Sequence, residues 1–260
     1  MLTHLLFSAF VALAVYAQSL TGFALALILL GLVGVTNLVP LPDAANAVTV
    51  LIIVNALIFF YSRRTARVER VIMPAVVASL VGSFAGMALV TFLAANAYEV
   101  LRMILGVSVV ICAILLWWAT KTFSSTSSAG YFTVIGSVSG VLGGMFSAAG
   151  PPLVYAVYRQ PWPLERIQGS LIFCFAVGAV LRLVIMSAFG HFSSLAVVLA
   201  AEAIPVTVIV TAVSATRSPP ISNAAVKNVV CILLVVSGLG TLVSSVQAMI
   251  DESVLHHGVF

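Results

Sequence analysis

Two short polar stretches and two charged side chains stand out in a chain that is otherwise apolar. "QSLTGFAL" (18–25) and "FSAAGPPL" (146–153) each set hydroxyl or amide side chains beside a glycine inside a long hydrophobic run. Arg182, in "AVLRLVI", and Glu202, in "LAAEAIP", are ionisable groups within two further runs. Glycine and paired prolines break a helix. A helix broken at membrane depth presents free N–H groups and the positive end of its dipole, which suits an anion. Gln18, Ser19, Thr21 and Gly22 would form one wall of such a site, and Ser147, Gly150 and Pro151 the other. Thr49, Gln168 and Ser170, on the helices that follow, would add hydroxyl and amide donors. The competing reading makes the breaks kinks whose polar residues only satisfy freed backbone groups. Intramembrane charges are expensive and mark either function or a structural pair. Arg182 and Glu202 fall at comparable depths on consecutive helices. They are expected either to pair or to act as an anion attractor and a proton-linked carboxylate.

Catalysis is not expected, and neither is a cofactor or metal. His4, His191, His256 and His257 lie near segment ends or in the C-terminal tail. There is no HExxH, CxxC or phosphate-binding loop, and Ser147 has no evident base to activate it. Cys112, Cys174 and Cys231 are odd in number, lack metal spacing and read as packing residues.

The elements that must position these groups follow from composition. Of 260 residues, 62% are hydrophobic and only 7% charged, with a mean hydropathy of +1.24. Soluble domains carry about 25% charged residues, so this chain cannot cover a water-facing surface. Apolar runs at 3–38, 44–62, 71–93, 98–119, 130–158, 165–189, 195–215 and 224–248 are the signature of membrane helices. The expected fold class is all-α and polytopic. The net charge of +4 sits at the ends of apolar runs, which suits orientation in a membrane better than nucleic-acid binding. "GSFAG" (82–86) and "GSVSGVLGG" (136–144) are expected to pack helix closely on helix.

The first and fifth runs exceed one crossing and hold the two breaks. Sliding one half of the chain along the other matches Ser19 with Ser147, Gly22 with Gly150, Pro42 with Pro163, Thr49 with Ser170, Pro74 with Pro205 and Arg102 with Lys227. This order predicts two repeats, 1–124 and 125–260, within one integral membrane domain. If both broken segments re-enter on their own side, three full crossings remain per half and the halves insert in opposite senses. Arg63, Arg64, Arg67, Arg70, Lys121, Arg159, Arg166, Arg217 and Lys227 then share one face. Asp43, Glu99, Asp251 and Glu252 share the other, with Arg102 the one base out of place. The positive-inside rule puts the basic loop 62–70 in the cytoplasm. Eight crossings with two kinked helices is the alternative topology.

The function expected from these residues is secondary transport of a small anion. The anion is held at a midplane site between opposed broken helices, with alternating access by rocking of one half against the other. Its partners are the anion, the bilayer and coupling protons or other ions. An anion channel, a carboxylate transporter or a structural membrane subunit are the rivals.

Residues 18–30, the proline-led helix at 42–55 and "GVLGGMFSAAGPPLVYAVYRQPWPLERIQGSLIF" (140–173) resemble the two halves of the TauE/SafE sulfite exporter family, the TSUP permeases. The resemblance covers nearly the whole chain. It implies a bacterial inner-membrane permease for small sulfur-containing anions such as sulfite or organosulfonates, often an exporter and linked to an ion gradient. The repeated break residues and the polar faces of the next helices are then its expected site.

Overall fold

A computed structural model describes residues 2–63, 66–118, 122–147, 150–216 and 223–257, except for the side chains of residues 2, 215–216, 223–227 and 251–257. Arg64, Lys121 and Arg217, with the side chains of Lys227, Asp251 and Glu252, lie outside the described residues.

Among the described residues the chain is helical throughout, without a strand. The order is α1 (Leu2–Thr21), α2 (Ala24–Thr36), α3 (Leu41–Ser62), α4 (Met73–Asn96, led in by a 3₁₀ turn at Arg70–Ile72), α5 (Tyr98–Trp118), α6 (Ala129–Phe146), α7 (Gly150–Tyr158), α8 (Leu164–Ala188), α9 (Ser194–Thr216) and α10 (Asn223–His257). Eight of these are long and apolar enough to cross a membrane. The exceptions are α2 and α7, of 13 and 9 residues, which follow the two breaks. One helix, a break, a short helix and three long helices therefore occur in that order twice. The chain is a multi-pass helical membrane protein.

Prolines open helices here. Pro42 and Pro74 stand in the first turns of α3 and α4, and Pro163 caps α8. In a first turn the missing N–H would have had no intrahelical partner. Pro151 and Pro152 occupy the same place in α7, so Gly-Pro-Pro starts a helix rather than interrupting one. Of the described helices, α9 alone carries a proline in its interior, Pro205.

The small-residue stripes pack as their spacing predicts. Gly136, Gly140 and Gly144 of α6 lie directly against the backbone at Ala75, Ser79 and Ser83 of α4, and Ser83 Oγ donates to the Gly140 carbonyl at 3.2 Å. A Cβ on any of the three glycines would overlap the α4 backbone, so these two helices meet backbone to backbone.

Helix ends sort onto two faces. On one, Ser193 Oγ donates to Asp43 (2.5 Å), Asn46 Nδ2 to the His191 carbonyl (2.8 Å) and the Leu41 N–H to Tyr98 Oη (3.1 Å). The beginnings of α3, α5 and α9 thus meet the end of α8. On the other, Arg63 Nη1 donates to Gln168 (3.1 Å), Arg166 Nη1 pairs with Glu69 (2.6 Å), and the Glu69 N–H donates to Ser170 Oγ (3.1 Å). Arg67 lies against Gly169 there. These are called below the Asp43 face and the Arg63 face. Arg102 is the basic residue near the Asp43 face, where Glu99 neutralises it at 2.8 Å.

Both broken segments double back between these faces. α1 sets out with His4 beside Glu202 of α9 and ends where Gln168 Nε2 donates to the Leu20 carbonyl (2.6 Å); α2 then returns to Arg102 near the start of α5. α6 ends where Ser147 meets Thr49, and α7 returns until Tyr158 Oη donates to the Thr21 carbonyl (2.7 Å). Both turns bear on α3 and α8, which pack on each other.

Candidate functional site

The first break closes on itself. Gly22, at φ +86°, makes the left-handed turn that ends α1, a conformation cheap only for glycine. Gln18 Oε1 accepts from the Leu25 N–H (2.9 Å), so it caps the start of α2, and its Nε2 reaches Asn55 Oδ1 (3.3 Å). Asn55 Nδ2 continues to Thr211 Oγ1 at 2.8 Å. Thr21 Oγ1 donates to the Ala17 carbonyl (2.8 Å), and Ser19 Oγ donates to the Val15 carbonyl (3.0 Å). The last carbonyls of α1 are taken by Gln168 and Tyr158. Buried polar groups must be paired, and here the freed backbone supplies the pairs. Gln18, Thr21, Gly22 and Gln168 are brought together. Ser170 sits beyond them, buried, holding the 62–70 loop through the Glu69 amide.

The second break holds a charge. Ser147, at φ +58°, ends α6 with its N–H on the Gly143 carbonyl (2.9 Å). Its Oγ lies 2.5 Å from Thr49 Oγ1 and 3.2 Å from the Ala45 carbonyl. Arg182 enters this cluster from α8. Nε donates to the Gly144 carbonyl (3.0 Å), and Nη1 to Asn46 Oδ1 (2.8 Å), Thr49 Oγ1 (2.8 Å) and the Ala45 carbonyl (3.3 Å). Among the described residues Nη2 has no acceptor and no carboxylate pairs with Arg182, although the residue is only 2% exposed. Dipoles of carbonyls and hydroxyls orient the cation without neutralising it.

Arg182 lines a cavity of about 350 Å³ shared with Pro42, Asn46, Thr91, Met186 and His191, near the Asp43 face. A guanidinium has five donors in a planar fork. Two of these, both on Nη2, are left for an oxyanion, and charge-assisted bonds of this kind are the strong ones. Gly150 and Pro151 are buried at the start of α7. Pro151 and Pro152 carry no N–H, so this helix start offers an anion fewer donors than the sequence reading supposed. The positive charge at this break is that of Arg182.

Two expectations are corrected by these contacts. Arg182 and Glu202 do not pair: Glu202 is 2.7 Å from His4 Nδ1, on the α1 side of α9, while Arg182 points between α3 and α6. The breaks also do not face each other at one level. Asn55 meets the first at Gln18 and Thr49 the second at Ser147, about 9 Å apart along α3 at 1.5 Å per residue. Asn46, Thr91 and His191 are cavity residues that the sequence reading passed over. Asn46 had a readable signal, since it precedes Thr49 by one helical turn on α3.

The profile of the family described as sulfite exporter TauE/SafE matches residues 6–241. A protein from Cupriavidus necator strain H16, called probable sulfite/organosulfonate exporter TauE, is 27% identical over 235 residues, covering 90% of this chain and 92% of its own. No solved structure matches.

Proposed function

The chain belongs to the sulfite exporter TauE/SafE family of membrane transporters, and from that premise we propose that it exports a small sulfur-containing anion, sulfite or an organosulfonate. The observation that carries the reading is the uncompensated Arg182 guanidinium lining a cavity at the second break. Nη2 would take two oxygens of the anion, with Asn46, Thr49 and Ser147 holding the fork in place.

Residues 1–124 and 125–260 serve as two inverted repeats in a bacterial inner membrane, with the Arg63 face in the cytoplasm. The cavity then lies toward the outside. The first break, tied down by Gln168 and Tyr158, is the barrier on the inside. Alternating access requires those ties to open while the contacts around Ser147 tighten. His4 and Glu202 are the pair through which a proton gradient would act on α1 and α9.

Sulfite flux from liposomes tests this. Ser147→Ala, and Gly150→Leu at a left-handed φ of +62°, should abolish transport while folded protein stays in the membrane. Wild-type flux in both would remove the second break from the mechanism.

A further inference from the structure

Ahead of Arg182 on α8 lies a second, much smaller cavity. Ser79 and Ser83 of α4, Ser147 at the end of α6 and Cys174, Phe175 and Gly178 of α8 surround about 10 Å³, close to the room one water molecule needs. Ser79, Ser83, Ser147, Cys174 and Phe175 are each at most 5% exposed, so the space is interior. α4 and α8 both start at the Arg63 face. The small cavity is lined by residues 79 and 83 of α4 and 174–179 of α8, whereas the Arg182 cavity is lined by 90–95 and 182–186. The two therefore lie in line along both helices. Ser147 joins them, since it lines the small cavity and bonds Thr49, which accepts from Arg182.

The small cavity has the marks of a closed passage. A Cβ on Gly178 would meet nothing within 4 Å, so the α8 wall leaves room that a larger residue could fill. Ser139, one turn before the cavity residue Gly143 on α6, is fully buried and its Oγ has no partner among the described residues, a costly state in a dry interior. Ser79 Oγ and Ser83 Oγ donate to the Val76 and Ser79 carbonyls of their own helix, both at 2.8 Å. α4 and α6 pack on each other far more extensively than either does on α8. We propose that this cavity is the closed half of the anion's path, which runs from the Arg63 face between α4, α6 and α8 to Arg182 and on through the larger cavity beyond. This rests on the anion reading of Arg182 and adds the route by which the anion reaches it. The passage opens when α8 parts from the α4–α6 pair. Release of the Gln168 tie at the first break would free α8 for that movement. Cys174 and Phe175, the lining residues of α8 nearest the Arg63 face, then admit the anion, and the serine hydroxyls turn to replace part of its hydration.

Cys174 reports on the passage. Membrane vesicles of both orientations carrying the full chain are treated with 2-sulfonatoethyl methanethiosulfonate, an impermeant anion that leaves a disulfide on an accessible thiol. Adducts are located by mass spectrometry, without sulfite, which would consume the reagent. Cys174 should react from the side bearing the 62–70 loop and not from the other, while Cys112 and Cys231, buried where α5 and α10 meet, stay unmodified. Gly178→Leu, which fills the space, should abolish sulfite flux from liposomes while sulfite affinity, read by titration, stays within about twofold. Gly178→Val, a milder filling in case the first variant misfolds, should slow flux with the same unchanged affinity. Cys174 unreactive from the loop side, or wild-type flux in a folded Gly178 variant, overturns the route and leaves Arg182 standing. Affinity lost together with flux would put Gly178 in the binding site and overturn the route too. Absence of sulfite binding in the wild type overturns both readings together.

Discussion

At the first break the freed backbone groups and the polar side chains satisfy one another, with Gln18 on the Leu25 amide and Gln168 and Tyr158 on the last carbonyls of α1. At the second, a turn of similar make is threaded by an arginine whose outermost nitrogen has no acceptor among the described residues. On the proposed reading the same motif is a lock in one place and a receptor in the other. The difference lies in what α8 contributes: an amide near its beginning, a cation near its end. A glycine-bearing break inside a membrane is therefore not by itself a binding site. On that reading it becomes one where a neighbouring helix brings more donors than the break can use.

The sharpest way to break this contrast is Arg182→Gln. Losing a charge-assisted contact to the anion should lower affinity about 100-fold, read by titration, while the protein remains folded. Arg102→Gln is the matched control. Arg102 is equally buried, but its charge is paired with Glu99 and its Nη2 donates to the Gly34 carbonyl and Ser244, so its loss should lower stability and spare anion affinity. Equal losses of affinity in the two variants would end the distinction between them.

A smaller effect of a different kind is expected at the first break. In Gly22→Ala the new Cβ would fall 2.8 Å from the Gln168 Cα at a φ of +86°. This should cost more than about 1 kcal/mol of stability, seen as a lower unfolding temperature, with the anion affinity of the folded fraction unchanged. Smallest for binding is Glu202→Gln, which should leave sulfite affinity alone and reduce the response of flux to an imposed proton gradient. Gradient dependence identical to wild type would take the His4–Glu202 contact out of coupling.

Much of the architecture was legible in the sequence because membrane helices announce themselves locally. Run length marks the spans, Pro42 marks the start of one, and Gly22 and Gly150 mark the breaks, whereas Gly-Pro-Pro reads as an interruption and in the fold opens α7. The small-residue stripe at 136–144 likewise fixed its own close contact. The site was legible only in part. Ser147, Thr49 and Arg182 were singled out, but their convergence joins positions up to 133 residues apart, and no local pattern encodes that. Glu202 misled because depth along a helix can be counted from sequence whereas direction around it depends on neighbours. Arg182 and Glu202 share a level and look different ways. Gln18 and Gln168 read as donors for a ligand because the sequence does not disclose which helix ends their amides will cap.

The unneutralised guanidinium also has an electrical consequence. On the proposed alternating-access reading, a bound monoanion would leave the loaded site without net charge, and its reorientation would be indifferent to the membrane voltage. Empty, the same site is a lone positive charge, and carrying a full charge across 100 mV is worth about 2.3 kcal/mol. In a cell with a negative interior, that voltage would hold the empty carrier facing the cytoplasm, ready for cargo. Arg182 would then be both the hook for the anion and the part of the machine on which the membrane potential pulls.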